Sequence, residues 1–417
     1  MSTPLIFMGA ILRKRAETGK VRGFYQPEGA GSRRDEIVWK GIFFRIGRIM
    51  IATPAAASPL RDKAFSLYLD LWRAFAALIV VIAHMRQDGF DLPITFAGKF
   101  AHEAVIVFFV LSGLVIAHST FDNNRGWRDY LAARASRLYA VIVPAILLSV
   151  ACAAIVSPPG WSSGTVKSAE WSAWDIVSSL LFLNRSWLND ADIPLNQPFW
   201  SLCYEAAYYT LFGIWVFTKG KLRIGLMLLG MMVAGPAILL LSPAWLAGVW
   251  LYRNIDKTTL PARPLIAILS IAAIAVIGFA GVPPALRGWF SGNFPMWYVL
   301  RDATNLITDL LIGFLFTLHL VAVRTLIPPV LMRFSSAIRF LAGGTFTLYM
   351  FHRPITELLS GAAFAKLHGP LMSLLVLALI VCFALMMSRT LERGFTRFLR
   401  KWIEMLLERS TAMRRPA

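Results

Sequence analysis

The sequence predicts an all-α, polytopic integral membrane protein with about ten transmembrane helices in one bundle. Three observations predict it. First, 57% of the 417 residues are hydrophobic and 16% are charged, against about 25% charged in ordinary soluble domains; the mean hydropathy is +0.61. Second, apolar stretches long enough to cross roughly 30 Å of hydrocarbon recur along the chain. Third, these stretches do not alternate as barrel strands do: Ala76-Ala77-Leu78-Ile79-Val80-Val81-Ile82 is apolar throughout. In lipid each backbone amide must find its partner within its own segment, so such runs are helices. The same composition excludes disordered, collagen-like and disulfide-rich scaffolds. Cys152, Cys203 and Cys382 all lie in apolar runs. They are expected as free, buried thiols, and no metal site is expected.

Residues 1–65 come first and are a different material. They hold twelve Lys and Arg and many small residues, which predicts a basic, poorly ordered cytoplasmic extension. The run Leu5 to Leu12 is too short to span and carries its charges after it, unlike a signal peptide. Met50 offers a second start before the first helix. The membrane domain then covers 66–389, with spans expected at 66–85, 104–120, 138–156, 199–217, 223–241, 243–252, 264–281, 305–323, 337–352 and 370–389. The sixth is short and needs a tilt or an earlier start. Between the third and fourth, the loop 157–198 carries Trp161, Trp171, Trp174 and Trp187. Amphipathic rings there suit an interfacial cover. Residues 390–417 read as a basic cytoplasmic tail.

Loop charge sets the orientation. One set of loops holds Arg125, Arg128, Arg134 and Arg137, then Lys219, Lys221 and Arg223, then Arg253, Lys257 and Arg263, then Arg324, Arg333 and Arg339. The opposite set holds Arg86, Lys99, Lys167, Arg185, Arg287, Arg301, Arg353 and Lys366. The first set belongs to the cytoplasm. An even number of spans puts both basic termini on that same side, so the chain is expected in a cell inner (plasma) membrane with both ends cytoplasmic. The net charge, 42 − 23 = +19, is accounted for in this way. Nucleic acid is not an expected partner, because no basic stripe with interleaved exposed aromatics occurs.

Ionisable side chains inside spanning helices are costly and mark function by default. The first span holds Arg73 and His84, eleven residues apart. Eleven residues rise about 16 Å and overshoot three full turns by only about 20°, so both side chains leave one face. Arg73 lies in the cytoplasmic half and His84 at the outer end. The fourth span opens with Ser201, Glu205, Tyr208 and Tyr209 on one face. The ninth ends in Tyr349 and His352, which places His352 at the outer end too. His102 and His368 fall in outer loops; His118 and His319 fall near cytoplasmic helix ends, where charge compensation is expected. No GxxxxGK loop, HExxH or CxxC occurs, which removes ATP-driven transport and zinc proteolysis.

These residues resemble the acyltransferase-three family of integral membrane O-acyltransferases. Leu69-Asp70-Leu71-Trp72-Arg73-Ala74, followed by His84, resembles its Arg-x10-His opening. Val107-Phe108-Phe109-Val110-Leu111-Ser112-Gly113 resembles its FFxxSG run. Arg134-Ala135-Ser136-Arg137-Leu138-Tyr139 resembles its basic RxxRLxP segment, with Ala140 where Pro is usual. Trp200-Ser201-Leu202 through Glu205 resembles its WSLxxE element, and Leu348-Tyr349 with His352 and Pro354 its YxxHxP end. The motifs fall in the family's order over about residues 66–395.

The resemblance implies a ten-helix bundle that moves an acyl group, commonly acetyl, from acyl-CoA to a sugar hydroxyl of exopolysaccharide, lipopolysaccharide or a related glycan. It implies acyl-CoA as donor substrate with no bound cofactor, and a carbohydrate acceptor. Membrane lipid and a glycan-export machinery are the further partners. His84 becomes the general base, which its near-neutral pKa suits. Arg73 and Glu205 complete the catalytic set, Glu205 orienting or charge-balancing a histidine. Arg134 and Arg137, at i,i+3, become the donor-phosphate ligands. Asp70, Ser201, Tyr349 and His352 are further site candidates. Two other readings compete. A transporter or flippase for a glycan or lipid-linked substrate would use the same Arg and Glu as a path, but the matching inverted halves common in transporters are not found. A catalytically dead scaffold conflicts with intact Arg73, His84 and Glu205.

Overall fold

The computed structural model describes residues 58–412 apart from 124–125, 157–170, 188, 295–299, 301 and 361–368. The expectations for residues 1–57, and for Arg125, Trp161, Lys167, Arg301, Lys366 and His368, lie outside the described residues. Those described form helices and no strand. In chain order they are α1 (Lys63–Gln87), α2 (Ala101–His118), α3 (Trp127–Val156), α4 (Ala173–Leu180), α5 (Trp200–Phe217), α6 (Gly220–Ala234), α7 (Pro236–Asn254), α8 (Arg263–Phe279), α9 (Val282–Asn293), α10 (Leu306–Val323), α11 (Ser335–Ala342), α12 (Thr345–Leu359), α13 (Pro370–Ser388) and α14 (Thr396–Ala412).

Five helical stretches are long and apolar enough to cross a membrane: Lys63–Gln87, Ala101–Asn123, Trp127–Ile155, Leu306–Val323 and Pro370–Glu408. The number is up to seven if α6 with α7, and α8 with α9, each count as one bent span. Two of the expected spans are cut differently. The run 223–241 is not one helix, because Gly235 takes φ +84° and is followed by Pro236. A left-handed residue then a proline ends one helix and starts the next. The chain bends by 113° there, and the short sixth span gains an earlier start at Pro236. The run 337–352 is likewise divided at Gly343 and Gly344 into α11 and α12. The expected tail 390–417 holds a further helix. A π-helical stretch, Arg389–Phe395, carries α13 into α14, and Arg400 there pairs with Asp129 near the start of α3.

Local chemistry fixes how the helices meet. Asp62 caps α1, accepting from the amides of Ala64 (2.8 Å) and Phe65 (3.2 Å). Its other oxygen takes the Arg324 guanidinium at 2.5 Å, tying the start of α1 to the end of α10. The crossing of α2 and α7 depends on two glycines. A Cβ on Gly113 would fall 2.0 Å from the Trp245 carbonyl oxygen, and one on Gly248 would fall 2.0 Å from that of Val110. Backbones this close admit only glycine, as in small-residue membrane helix pairs.

The loops sort into two ends. At one, Arg324 holds Asp62 and Asp256, Tyr252 bonds Asp122, and Arg400 holds Asp129. At the other, Arg353 holds Asp88, the Asp91 amide bonds Ser373, and Arg185 meets Asp302. For the loops these bonds join, the grouping is the one the charge pattern expects.

Candidate active site

Helices α1 and α12 run parallel and touch at two levels. Near the first, Arg73 donates to Asp70 and to Thr345 Oγ1, both at 3.4 Å. Near the second, His84 Nδ1 lies 2.9 Å from His352 Nε2, with the rings stacked at 5.2 Å and 19°. Arg73 and His84 therefore share one face of α1, as the eleven-residue spacing predicts, and that face meets α12 at both levels.

The hydrogen bonds assign the tautomers. His352 Nδ1 lies 3.0 Å from the Leu348 carbonyl oxygen, which can only accept, so this nitrogen carries the proton. In the neutral ring Nε2 of His352 is then the acceptor. His84 must donate from Nδ1, which leaves its Nε2 with a free lone pair. No partner meets that nitrogen among the described residues. His352 is fully buried while His84 is partly exposed.

A buried ionic clamp holds this pair. The Arg353 guanidinium takes Asp88 at 2.9 Å, Glu357 at 2.5 Å and the carbonyl oxygen of His84 at 3.3 Å. It thus fastens the last turn of α1 onto α12. Burial pushes the Asp88 carboxyl up to about 7; Glu357 adds to the rise and Arg353 opposes it. In the charge pattern Arg353 counts only as an outer-loop cation. It is instead a buried helix residue. The signal that could have found the clamp is the set of opposite charges at both helix ends: Arg353 and Glu357 at i,i+4, and Asp88 four residues after His84.

A cavity of about 90 Å³ lies beside the Arg73 level. Along α2 its lining runs from Val105 to Ile116, a length of about 16 Å. Arg73, Arg137, Glu205, Ser201 and Tyr349 all line it. Arg134 does not. Residues three apart on a helix point about 60° away from each other, and Arg134 instead donates to Ser119 and covers the Tyr130 ring at 5.4 Å. Of the two expected donor ligands, only Arg137 reaches the cavity. Asp70 stays off it as the ion-pair partner of Arg73.

Glu205 does not meet a histidine. It accepts from Ser112 Oγ at 2.6 Å and from the Tyr209 hydroxyl, and Trp245 Nε1 donates to the same Ser112 at 3.3 Å. The histidine partnership that the resemblance implies is thus replaced by a hydroxyl network. Tyr208 also leaves the expected face: its hydroxyl donates to the Ile238 carbonyl at 2.9 Å. Ser201 and the Tyr349 hydroxyl lie 3.0 Å apart and share the Pro198 carbonyl. The Tyr349 ring lies 6.3 Å from that of His352. Tyr349 thus stands between the cavity and the histidines, neither of which lines the cavity. His102 pairs with Asp309 at 3.0 Å in the first turn of α2 rather than in a loop. His118 and His319 hold structural bonds, to Ser58 and Tyr68 respectively.

The partners of Glu205 and Arg73 on other helices are set by packing between helices. Ser112 and Tyr209 hold Glu205, and Thr345 holds Arg73. Glu392, in the π-helical stretch, accepts from the amide and hydroxyl of Thr347 at 2.9 and 2.7 Å and lies in electrostatic range of Arg73 and Arg137.

A stretch of 158 residues is 34% identical to Acyltransferase MdmB of Streptomyces mycarofaciens, covering 34% of this chain and 37% of that protein. No solved structure matches the chain. Residues 66–389 match the family model for the acyltransferase domain, a range that holds Arg73, His84, Arg137, Glu205 and His352 together. The chain belongs to the acyltransferase-three family.

Proposed function

We propose that the protein is a membrane O-acyltransferase that moves an acyl group, acetyl in the first place, from acyl-CoA to a hydroxyl of a cell-surface or exported carbohydrate. The observation that carries this is the His84–His352 pair. It leaves a basic nitrogen on a partly exposed ring, one helix face away from a cavity that holds two arginines. In the reaction His84 Nε2 takes the proton of the acceptor hydroxyl. The alkoxide oxygen attacks the thioester carbonyl, the C–O bond forms and the C–S bond breaks. The leaving thiolate then recovers the proton from Nε2. His352 keeps the tautomer correct and shares the charge of the transient imidazolium.

The donor's arm fits the cavity in length. Its carbonyl reaches His84 past Tyr349, while the acceptor approaches from the exposed side of His84. Arg73 and Arg137 supply positive charge along the arm. A carbohydrate acceptor rests on the family's usual substrates, and delivery of that acceptor falls to an export machinery. Ten crossings and a cytoplasmic Arg73 end are supported by the separation of the loops into two ends, the more basic of which is expected inside.

Replacing His84 by Ala tests the assignment. Loss of a positioned general base should lower transfer by roughly 10²–10⁴-fold at unchanged membrane level and melting temperature. Wild-type glycan acylation in that variant sinks the reading.

A further inference from the structure

We propose that the cleft between α11 and the π-helical stretch 389–395 is the subsite for the nucleotide phosphates of the thioester donor. This rests on the acyltransferase reading and gives its donor a landing place away from Arg134. The cleft measures about 450 Å³ and is lined by Ser335, Ser336, Arg339, Phe340 and Arg393. That volume suits a phosphorylated nucleotide.

The lining is built of donors. Ser335 and Ser336 form the first turn of α11, which has no acidic residue. Their hydroxyls can donate to an anion there. Arg339 and Arg393 add two guanidiniums, both exposed. Neither has an ion pair or a side-chain acceptor among the described residues. Two other arginines at this end are held by carboxylates: Arg324 by Asp62 and Asp256, Arg400 by Asp129 and Glu404. Two unpaired guanidiniums on one cleft repel each other, and a polyphosphate removes that repulsion with forked bonds.

Position ties the cleft to the cavity. A Cβ on Gly343 would lie 3.5 Å from Arg393 Nη2, so Arg393 rests on the glycine pair that separates α11 from α12. Thr345, two residues further on, bonds Arg73 and lines the cavity. Glu392, next to Arg393 in sequence, turns to Thr347. Arg339 lies in electrostatic range of Asp70, the partner of Arg73. Cleft and cavity therefore flank one helix break. A donor with its phosphates in the cleft would send its arm past Thr345 into the cavity.

An anionic lipid headgroup offers the same phosphate chemistry, so the experiment separates the two sources. Full-length protein is placed in nanodiscs of phosphatidylcholine alone, as wild type and as the double variant Arg339→Gln with Arg393→Gln. KM is measured for acetyl-CoA and for S-acetylpantetheine, which has no phosphate. Binding of adenosine 3′,5′-bisphosphate is measured in parallel. The double variant should raise KM for acetyl-CoA at least about tenfold, as expected for two lost charge-assisted contacts. KM for S-acetylpantetheine should stay within about twofold, and the bisphosphate should no longer bind. An equal rise for both donors, or an unchanged KM for acetyl-CoA, overturns the subsite. Unchanged acetyl-CoA kinetics with lost binding of phosphatidylglycerol assigns the cleft to lipid and overturns it as well. If wild-type protein transfers acetyl from neither donor, the acyltransferase reading fails instead. The arginine-dependence of bisphosphate binding then still decides the subsite.

Discussion

His352 acts on His84 by deciding where one proton sits. Its Nε2 accepts from His84 Nδ1 at 2.9 Å, and its own Nδ1 is committed to the Leu348 carbonyl. Removing the acceptor frees the His84 ring to turn and to exchange tautomers. His352→Ala should therefore lower kcat by about 10- to 100-fold, the usual effect of losing a partner that orients a working histidine. His352→Gln keeps a side-chain oxygen that can accept from Nδ1–H and should recover most of that loss. Equal losses in the two variants would mean that His352 only fills space. Arg73 is expected to be as particular. Two of its nitrogens bond two different residues, Asp70 and Thr345, and its side chain lines the cavity. An ammonium has no fork to serve both. Arg73→Lys should cost about tenfold or more in kcat/KM for acyl-CoA, since a bond to a charged group is worth roughly 1.5–3 kcal/mol. Full activity in the Lys variant would reduce Arg73 to a point charge.

At the scale of helices, the ends of α1 and α12 are held by Asp88, Arg353 and Glu357. Asp88 has a carboxyl raised to about 7, facing Arg353, Glu357, Thr356 and the backbone of His84. Between the ordinary carboxylate range and pH 7 the folded protein keeps a proton there that the unfolded chain has released. Asp88 therefore stabilises the fold at low pH, and that contribution is lost as pH rises through about 7. Asp88→Asn keeps the shape and cannot lose a proton. Its melting temperature relative to wild type should rise between about pH 4.5 and about pH 7.5, read by thermal unfolding in detergent. A constant difference across that range would show that Asp88 titrates normally. This clamp also marks the limit of the sequence. The shared face of Arg73 and His84 is legible, because a 3.6-residue helix aligns them whatever surrounds it; that this face meets α12 is not. The Glu205 partner was not, since lateral packing in a bundle depends on contacts such as Gly113 against Gly248 that no single helix encodes. The break at Gly235 was legible as Gly-Pro chemistry, yet the apolar run continued across it and hid it. The clamp itself was hidden because a loop-charge count treats Arg353 as solvent-exposed.

For the whole molecule the decisive property is sidedness. The ion pairs Arg324–Asp62 and Arg400–Asp129 gather one set of loops, and Arg353–Asp88 with Arg185–Asp302 gathers the other. The Arg73 level of the cavity and the Arg339–Arg393 cleft belong to the first set. Acyl-CoA is confined to the cytosol, so the donor reading requires this end to be cytoplasmic. Arg128 and Trp174 are exposed and lie on opposite sides of that division. Cys382, which its apolar run predicts to be buried, is exposed; in a background with it changed to Ser, Cys152 and Cys203 remain buried and contribute little labelling. Arg128→Cys should then react with an impermeant maleimide only after the cells are opened, and Trp174→Cys should react on intact cells. The positive-inside rule predicts this outcome from the loop arginines alone. The two positions are therefore a test of the rule as well as of the mechanism. The reverse pattern would place Arg73, Arg137 and the basic cleft outside, out of reach of any cytosolic thioester. An O-acyltransferase fed by acyl-CoA could not work in that orientation, however well His84 and His352 are arranged.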